Sequence, residues 1–287
     1  MGFLVVSVPL AKWTTWRIGG PADYFFQPID LSSLQAFVQA NLDVPKTLLG
    51  LGSNVLIRDG GITGAVISLR PGLLECRRIE KSNCIYVEGG VACAKVAKFC
   101  AKENLLGASF LAGIPGTMGG ALAMNAGAFG GETWSLVERV VVLTDAGLLC
   151  EYPASAFKVS YRHIEGPQGL AFVGAYLRCE TGSAEKAESE IRALLLHRKN
   201  TQPIGTLNAG SVFKNPEGDY AARLIESCGL KGLQSGGATV SSKHANFIIN
   251  EGHATAADVE LLIQWIQEAV FLKFGVQLSL EVKILGK

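Results

Sequence analysis

The 287-residue sequence lacks the features that mark membrane, disulfide-rich or nucleic-acid-binding proteins. No uninterrupted apolar run approaches the roughly 20 residues of a membrane-spanning helix. The seven cysteines are odd in number and none forms a CxxC pair, which argues against a disulfide framework or a zinc site. The formal net charge is +1 and the basic residues are dispersed, so the chain has no electrostatic footprint for DNA or RNA.

The beginning of the sequence, MGFLVVSVPLAKW, has neither a basic n-region nor an A-x-A cleavage site. It therefore predicts a first β-strand rather than a signal peptide. The cysteines are interpreted as small core residues of a protein in a reducing compartment. We expect a cytoplasmic protein without a bound metal and without a membrane or nucleic-acid partner. No motif determines the oligomeric state, and a monomer is the working expectation.

What the sequence does contain is a sizeable core and many turns. Hydrophobic residues make up 48% of the chain, charged residues 18%, and 34 residues are glycine. Helical periodicity over Ala92–Asn104 and Ala184–Lys199, a capping box at Thr255 and short strands elsewhere predict an α+β fold. A final strand is predicted over Gln277–Leu285.

The most informative segment is the glycine- and alanine-rich stretch Ala108–Gly131. Its first part predicts a tight turn followed by a short helix capped by Thr117, whose free N–H groups would hold a phosphate; these residues are Gly113, Ile114, Pro115, Gly116, Thr117, Gly119 and Gly120. Asn125, Ala126 and Gly127 then offer an amide and a close backbone approach to a planar heterocycle. The stretch is neither GxGxxG nor a P-loop, and a glycine-rich packing turn is the alternative.

A second glycine turn has the sequence Gly50-Leu51-Gly52-Ser53-Asn54 and lies between two predicted strands. The Ser and Asn side chains bond either the local backbone or a phosphate. Taken alone, the pattern favours a structural turn.

Seven segments in order indicate one family. They are TTWRIGGPADYF, GLGSN, AGIPGTMGGALAMNAGAFGG, SYR at 160–162, RKNTQP, NAGSVFKNP and LIESCGLKGLQSGGATVSSKHANFIIN. Together they span nearly the whole chain, which is similar to the UDP-N-acetylenolpyruvoylglucosamine reductases, flavoproteins of bacterial cell-wall precursor synthesis. The polar segment after Ser160 is short, as in the branch of the family that lacks a tyrosine-bearing loop.

The resemblance implies a fold and a cofactor. It implies an FAD-binding domain of the PCMH (vanillyl-alcohol-oxidase-like) type over 1–182, made of α+β subdomains at about 1–70 and 71–182. A substrate-binding α+β domain follows over 183–287. FAD would be held by the two glycine turns, and noncovalently, because the four histidines lie outside both turns.

The resemblance also implies a reaction. NADPH supplies hydride through FAD to the vinyl carbon of the enolpyruvyl ether of UDP-N-acetylglucosamine, and a proton completes the lactyl ether of UDP-N-acetylmuramate. By this resemblance Arg162 binds the substrate carboxylate, Ser211 donates the proton and Glu281 assists at the intermediate. As members of a cell-wall pathway, such enzymes contribute to cell shape, cell cycle and cell division.

Further positions carried over by resemblance are candidates for contacts to the sugar nucleotide; they are Tyr161, Arg198, Gln202, Lys214 and Asn215. His244 and Asn246 are compatible with a pocket, but a structural role is at least as well favoured. Two other functions stay open at this point. One is a PCMH-type flavin oxidase or dehydrogenase for another small substrate, and the other is a non-catalytic flavin- or nucleotide-binding module.

Overall fold

The structure is a computed structural model that describes residues 2–167 and 169–287. The described residues form six α-helices: α1 (Leu31–Ala40), α2 (Cys93–Lys102), α3 (Met118–Ala123), α4 (Ala184–Thr201), α5 (Ala221–Ser227) and α6 (Ala256–Phe274). The first ten strands are β1 (Phe3–Pro9), β2 (Pro21–Gln27), β3 (Lys46–Leu48), β4 (Val55–Ile57), β5 (Ile62–Ile67), β6 (Cys76–Arg78), β7 (Cys84–Glu88), β8 (Leu105–Leu106), β9 (Gly127–Ala128) and β10 (Gly131–Glu132). The others are β11 (Val137–Leu143), β12 (Leu149–Pro153), β13 (Lys158–Ser160), β14 (His163–Glu165), β15 (Ala171–Arg178), β16 (Glu180–Thr181), β17 (Gln234–Ser235), β18 (Ala238–Val240), β19 (Ile248–Asn250) and β20 (Lys283–Leu285).

The strands assemble into small sheets. The largest has the order β12-β11-β15-β7-β6 and is antiparallel throughout. A four-stranded sheet has the order β1-β2-β5-β3, and a three-stranded sheet the order β17-β18-β19. Near the end of the chain β20 pairs in parallel with β4, with Lys283 opposite Val55. Segregated helices and mainly antiparallel strands are the signature of the predicted α+β class.

The chain divides into two compact units. The first comprises 1–6, 24–50 and 64–197, and the second 7–23, 51–63 and 198–287. Hydrogen bonds explain why an early segment belongs to the second unit: Trp16 Nε1 donates to the Ile248 carbonyl at 2.7 Å, and Asn250 Nδ2 donates to the Trp16 carbonyl at 2.8 Å. Periodicity cannot reveal such pairings, so a single boundary near residue 182 does not describe the compact units.

Helix α6 supplies much of the second unit's core, as its sequence predicts. Five of the six residues that the periodicity places on its inward face are buried: Val259, Leu262, Ile263, Ile266 and Val270. The sixth, Phe274, is exposed at the last turn, so the prediction is wrong there. The capping box is present: the Asp258 N–H donates to the Thr255 hydroxyl at 3.1 Å, and the Thr255 N–H donates to the Asp258 carboxylate at 2.9 Å. The helix ends at Gly275, whose φ of +68° is left-handed.

The predicted final strand is wrong in length. Only Lys283–Leu285 is strand, because the chain bends at Glu281 and Val282 where both N–H groups donate to the Val212 carbonyl. Strand alternation therefore does not fix the direction of the Glu281 side chain.

All seven cysteines are free thiols, and four of them are buried. Burial raises the pKa of the Cys93 thiol to about 12, which makes it a poor nucleophile and agrees with its interpretation as a core residue. In the parts of the chain that the structure describes, no helix has the length and apolarity needed to cross a bilayer.

The Thr255 cap is testable. We expect Thr255→Ala to lower the free energy of unfolding by about 1 kcal/mol, because the Asp258 N–H loses its acceptor. Urea denaturation measures the loss, and Thr255→Ser is the matched control that keeps the hydroxyl. Equal stability of the Ala and Ser variants would contradict the role of the cap.

The other half of the capping box depends on pH. The Thr255 N–H holds the pKa of Asp258 below its ordinary value, so the carboxylate's share of the stability is present at neutral pH. It is lost as the pH falls through the folded-state pKa.

Candidate active site

The GLGSN turn is built around Gly52, in the second unit. Gly52 has a φ of +64°, and a Cβ at this position would overlap the Trp13 carbonyl oxygen. Its own carbonyl accepts hydrogen bonds from the N–H and the hydroxyl of Thr15, at 3.1 and 3.2 Å. The turn is thus tied to the TTWR segment by contacts that only glycine allows. Leu51, Ser53 and Asn54 are half-buried around it.

The cradle segment, Gly113–Gly120, lies in the first unit and differs from the prediction at the start of its helix. The short helix α3 begins after Thr117, but the Thr117 side chain makes no capping hydrogen bond. The N–H groups of Met118 and Gly119 donate to the carbonyls of Val91 and Gly89, both at 2.8 Å. Two of the N–H groups that were predicted to be free at the helix start are therefore already paired within the protein. Gly113 is a packing glycine, since a Cβ there would lie 2.7 Å from the Phe129 ring.

A cavity of about 260 Å³ lies beside this segment. Its lining includes Gly50, Thr117, Gly119 and Gly120. One residue of the GLGSN turn and three residues of the cradle segment therefore line the same cavity. Apolar residues from later in the chain complete it, among them Phe157, Ile164, Leu170 and Phe172. None of these four residues is predicted from the sequence to line a site. The local signal near them is the Gly166-Pro167 turn, since both of its residues also line the cavity.

The Thr117 hydroxyl, which does not cap the helix, belongs to a residue of the cavity wall. The residue is buried at 4% exposure and lies on the cavity wall, and its hydroxyl makes no hydrogen bond to another described residue. A glycine is needed opposite it, because a Cβ on Gly50 would lie 2.7 Å from the Thr117 Oγ1. The geometry leaves one hydroxyl donor for a ligand oxygen.

Asn125 is used differently from the prediction. The residue is fully buried, with a left-handed φ of 44°. Its Nδ2 donates to Glu132 Oε2 at 2.9 Å and to the Ser160 carbonyl at 3.1 Å, and its Oδ1 accepts from the Trp134 N–H at 3.1 Å. The amide is thus fully engaged within the protein, so it gives no side-chain contact to a heterocycle. Ala126 is buried beside it.

Arg162 occupies the second position of a two-residue hairpin loop. Strands β13 and β14 pair up to Ser160 and His163, which leaves Tyr161 and Arg162 as the loop. The Arg162 guanidinium donates to the Gly127 carbonyl at 2.9 Å and to the Asn125 carbonyl at 3.4 Å, and lies 4.9 Å from the centre of the Tyr161 ring. The first unit therefore joins the predicted carboxylate-binding residue to the glycine-rich stretch.

Ser211 and Glu281 are neighbours in the second unit. The Glu281 N–H donates to the carbonyl of Val212 at 2.8 Å, and the Glu281 carbonyl accepts from Asn54 Nδ2 at 3.1 Å. Ser211 is half-buried, follows Gly210 at a φ of +76°, and its hydroxyl makes no hydrogen bond to another described residue. The structure thus brings the end of GLGSN, the predicted proton donor and the predicted carboxyl group together.

Asn246 is the structural support of this arrangement. It is buried; its Oδ1 accepts from the Phe213 N–H at 2.9 Å and its Nδ2 donates to the Phe213 carbonyl at 2.8 Å. Its own carbonyl accepts from the Val212 N–H. Three hydrogen bonds to Asn246 therefore fix the backbone that follows Ser211.

Four of the five predicted sugar-nucleotide contacts lie at two places in the second unit, and the fifth, Tyr161, lies in the hairpin loop of the first unit. Lys214 and Asn215 follow Ser211, and the Asn215 Oδ1 accepts from the Ala221 N–H at 3.1 Å. At the end of α4, Arg198 Nε donates to Gln202 Oε1 at 2.9 Å. Burial lowers the pKa of the Arg198 guanidinium, and none of the described carboxylates lies within ion-pair distance of it. A desolvated cation with a neutral partner favours an anionic ligand.

Comparison with known proteins identifies the family. Residues 22–152 match the FAD binding domain, and residues 202–285 match the C-terminal domain of UDP-N-acetylenolpyruvoylglucosamine reductase. The UDP-N-acetylenolpyruvoylglucosamine reductase of Methylococcus capsulatus is 53% identical, over 97% of this chain and 92% of that protein. That of Nitrosococcus oceani is 52% identical, over 100% and 96%. The chain belongs to the UDP-N-acetylenolpyruvoylglucosamine reductase family.

A solved structure supports the same assignment across both units. The crystal structure of the reductase from Thermus caldophilus matches with a TM-score of 0.84 and 32% identity, covering 100% of this chain and 99% of that one. The predicted fold class, α+β with a PCMH-type FAD-binding domain, is confirmed. So is the predicted enzyme class, an FAD-dependent oxidoreductase.

The residues present fit the cofactor of a UDP-N-acetylenolpyruvoylglucosamine reductase. A cavity walled by glycine backbone, apolar side chains, the Thr117 hydroxyl and Arg70 suits part of a dinucleotide. Its volume of about 260 Å³ is below the roughly 300–1,000 Å³ of whole small-molecule sites, so it would hold only a portion of FAD. All the predicted cofactor residues stay predictions.

Gly120 gives a direct test of this cavity. It is exposed on the cavity wall, and the nearest atom to a Cβ there, Thr117 Oγ1, is 3.7 Å away. We expect Gly120→Ala to leave the apoprotein at least as stable as the wild type, since Ala favours a helix more than Gly. FAD affinity should fall about tenfold because the methyl group occupies cofactor space. Flavin titration and thermal unfolding of the apoprotein measure the two effects, and unchanged affinity would remove Gly120 from the site.

Proposed function

We propose that this chain reduces the enolpyruvyl ether of UDP-N-acetylglucosamine to UDP-N-acetylmuramate, with NADPH as hydride donor. The proposal is carried by two hydrogen bonds of Glu281 in a chain of this family. Its carbonyl accepts from Asn54, and its N–H donates to Val212, the residue after Ser211. When bound, FAD accepts hydride from NADPH and delivers it to the vinyl carbon of the substrate. The product belongs to peptidoglycan precursor synthesis.

The chain's own residues handle the charge that the hydride creates. Negative charge moves onto the carbon that bears the substrate carboxylate, so a cation has to face that group. We assign this to Arg162, whose planar guanidinium holds a carboxylate through two parallel hydrogen bonds. The bonds to Asn125 and Gly127 use some of its five N–H donors and fix its plane.

Protonation is assigned to Ser211, with Glu281 assisting. A serine hydroxyl is a weak acid, but the carbanionic intermediate is a strong base, so a positioned hydroxyl can donate. This hydroxyl has no hydrogen-bond partner among the described residues, which supports its assignment as a donor to the substrate. Lys214, Asn215, Tyr161, Arg198 and Gln202 are proposed to contact the diphosphate and sugar nucleotide.

We further propose a division of labour along the chain: residues 1–182 bind FAD and contribute Tyr161 and Arg162 to the substrate, and residues 183–287 supply the other substrate contacts. The family matches over 22–152 and 202–285 support this division. One chain supplies all the proposed groups, so we propose that the enzyme acts as a monomer. We also propose that it is cytoplasmic and has neither a membrane nor a nucleic-acid partner. Its product would serve cell-wall growth and thereby cell shape, cell cycle and cell division.

Ser211→Ala tests the proton donor. We expect NADPH to reduce the bound flavin at near the wild-type rate, while reoxidation by the enolpyruvyl sugar nucleotide slows about 100-fold or more. Stopped-flow absorbance at the flavin band measures each half-reaction. Ser279→Ala is the matched control, because Ser279 is exposed and contacts this segment only through its carbonyl. Equal slowing of both half-reactions would make Ser211 a structural residue.

Arg162→Lys tests the carboxylate contact. Lysine keeps the charge but loses the fork, so we expect KM for the enolpyruvyl substrate to rise on the order of 10-fold to 100-fold. FAD content, read from the visible spectrum, should match the wild type. Loss of the flavin would show that Arg162 belongs to the cofactor site instead.

A further inference from the structure

The hairpin loop that carries Arg162 is attached to the glycine-rich stretch at three points. The Ser160 carbonyl accepts from Asn125 Nδ2, and the Arg162 guanidinium donates to the carbonyls of Asn125 and Gly127. Two of these three attachments involve Asn125. The loop itself is a single turn between two three-residue strands, so its own pairing supplies little rigidity.

The Asn125 side chain bonds protein groups, among them the backbone of this loop, rather than a ligand. Its side chain is fully buried, and each of its polar atoms has a protein partner. The left-handed φ of 44° directs its carbonyl to Arg162 while its amide reaches the Ser160 carbonyl, and asparagine is among the few residues that tolerate this conformation. The amide orientation is fixed by the Trp134 N–H on one side and Glu132 on the other.

Gly127 and Glu132 complete the surroundings of Asn125 and Arg162. Glu132 lies opposite Gly127 in the β9–β10 hairpin and returns its carboxylate to Asn125. A Cβ on Gly127 would lie 3.1 Å from Arg162 Nη1 and 3.2 Å from Glu132 Cγ. The glycine therefore allows the guanidinium to approach the main chain.

We propose that Asn125 is a positioning residue for Arg162: its buried amide holds the Tyr161-Arg162 loop against the glycine-rich stretch, so that the guanidinium keeps one orientation. Glu132 acts through Asn125 by fixing its amide. The inference rests on the proposed function for its kinetic consequence, but not for its structural one.

The principal variant is Asn125→Gly, which permits the left-handed backbone and removes all three side-chain hydrogen bonds. The control is Thr133→Val, which removes a buried hydrogen bond of the same segment, from the Thr133 hydroxyl to the Ala126 carbonyl, and does not touch the loop. Both are studied as the full chain reconstituted with FAD. We expect Asn125→Gly to slow reoxidation by the enolpyruvyl sugar nucleotide about tenfold, since the loop loses its amide anchor. Reduction by NADPH should change less than about threefold, and Thr133→Val should not favour one half-reaction.

A double-mutant cycle separates positioning from general damage. In an Arg162→Lys background, Asn125→Gly should add less than about a twofold further loss, because the guanidinium it positions is already gone. Multiplicative effects, or equal slowing of both half-reactions, would overturn the proposal. If Asn125→Gly does not fold, Glu132→Ala decides: a folded variant with wild-type reoxidation rejects the proposal, and a selective loss of about threefold supports it.

Hydrogen exchange gives a readout that needs no substrate. Amides of residues 158–165 should exchange about tenfold faster in Asn125→Gly than in the wild type or Thr133→Val. Unchanged exchange would refute the anchoring role. If instead the wild-type enzyme is not reoxidised by the enolpyruvyl sugar nucleotide, the proposed function fails while the exchange result still judges the positioning of the loop.

Discussion

Buried asparagine amides hold this structure together at its functional points. Asn125, Asn246 and Asn250 are each at most 4% exposed. Each bonds backbone groups with both ends of its amide, and at least one end reaches a distant segment. A buried amide without partners costs free energy, whereas a satisfied one orders two chains at once. These amides therefore fix the relative placement of segments that are distant in the sequence.

The same constraint accounts for the placement of the proposed chemistry. Asn246 fixes the backbone at Val212 and Phe213, directly after Ser211. Asn125 joins the glycine-rich stretch to the loop of Arg162, and Asn54 joins the GLGSN turn to Glu281. In each case an asparagine side chain bonds the backbone at or beside a residue that is proposed to be reactive. Preorganised donors of this kind stabilise developing charge without reorganising at the moment of reaction.

Two glycine-rich turns that look alike in sequence have different physical bases. Gly52 needs its positive φ and its close approach to Trp13, so it is required by the fold. Gly120 needs neither, and lies open on the cavity wall. The family resemblance places both glycines among the cofactor residues, and glycine content alone does not say what a side chain at either position would meet.

The sequence by itself determined the family, the α+β class, the long helices and their caps, because these depend on local spacing and on motifs that stay contiguous. Helix α6 began after Thr255 and ended at Gly275 as predicted, since capping and left-handed termination are properties of a few neighbouring residues. Tertiary structure alone decided that the helix-start N–H groups at Met118 and Gly119 are paired, that Asn125 serves Arg162, and that 7–23 and 51–63 belong with the end of the chain. Those outcomes depend on which distant carbonyl or amide arrives beside a given group, and no periodicity or propensity encodes such partners.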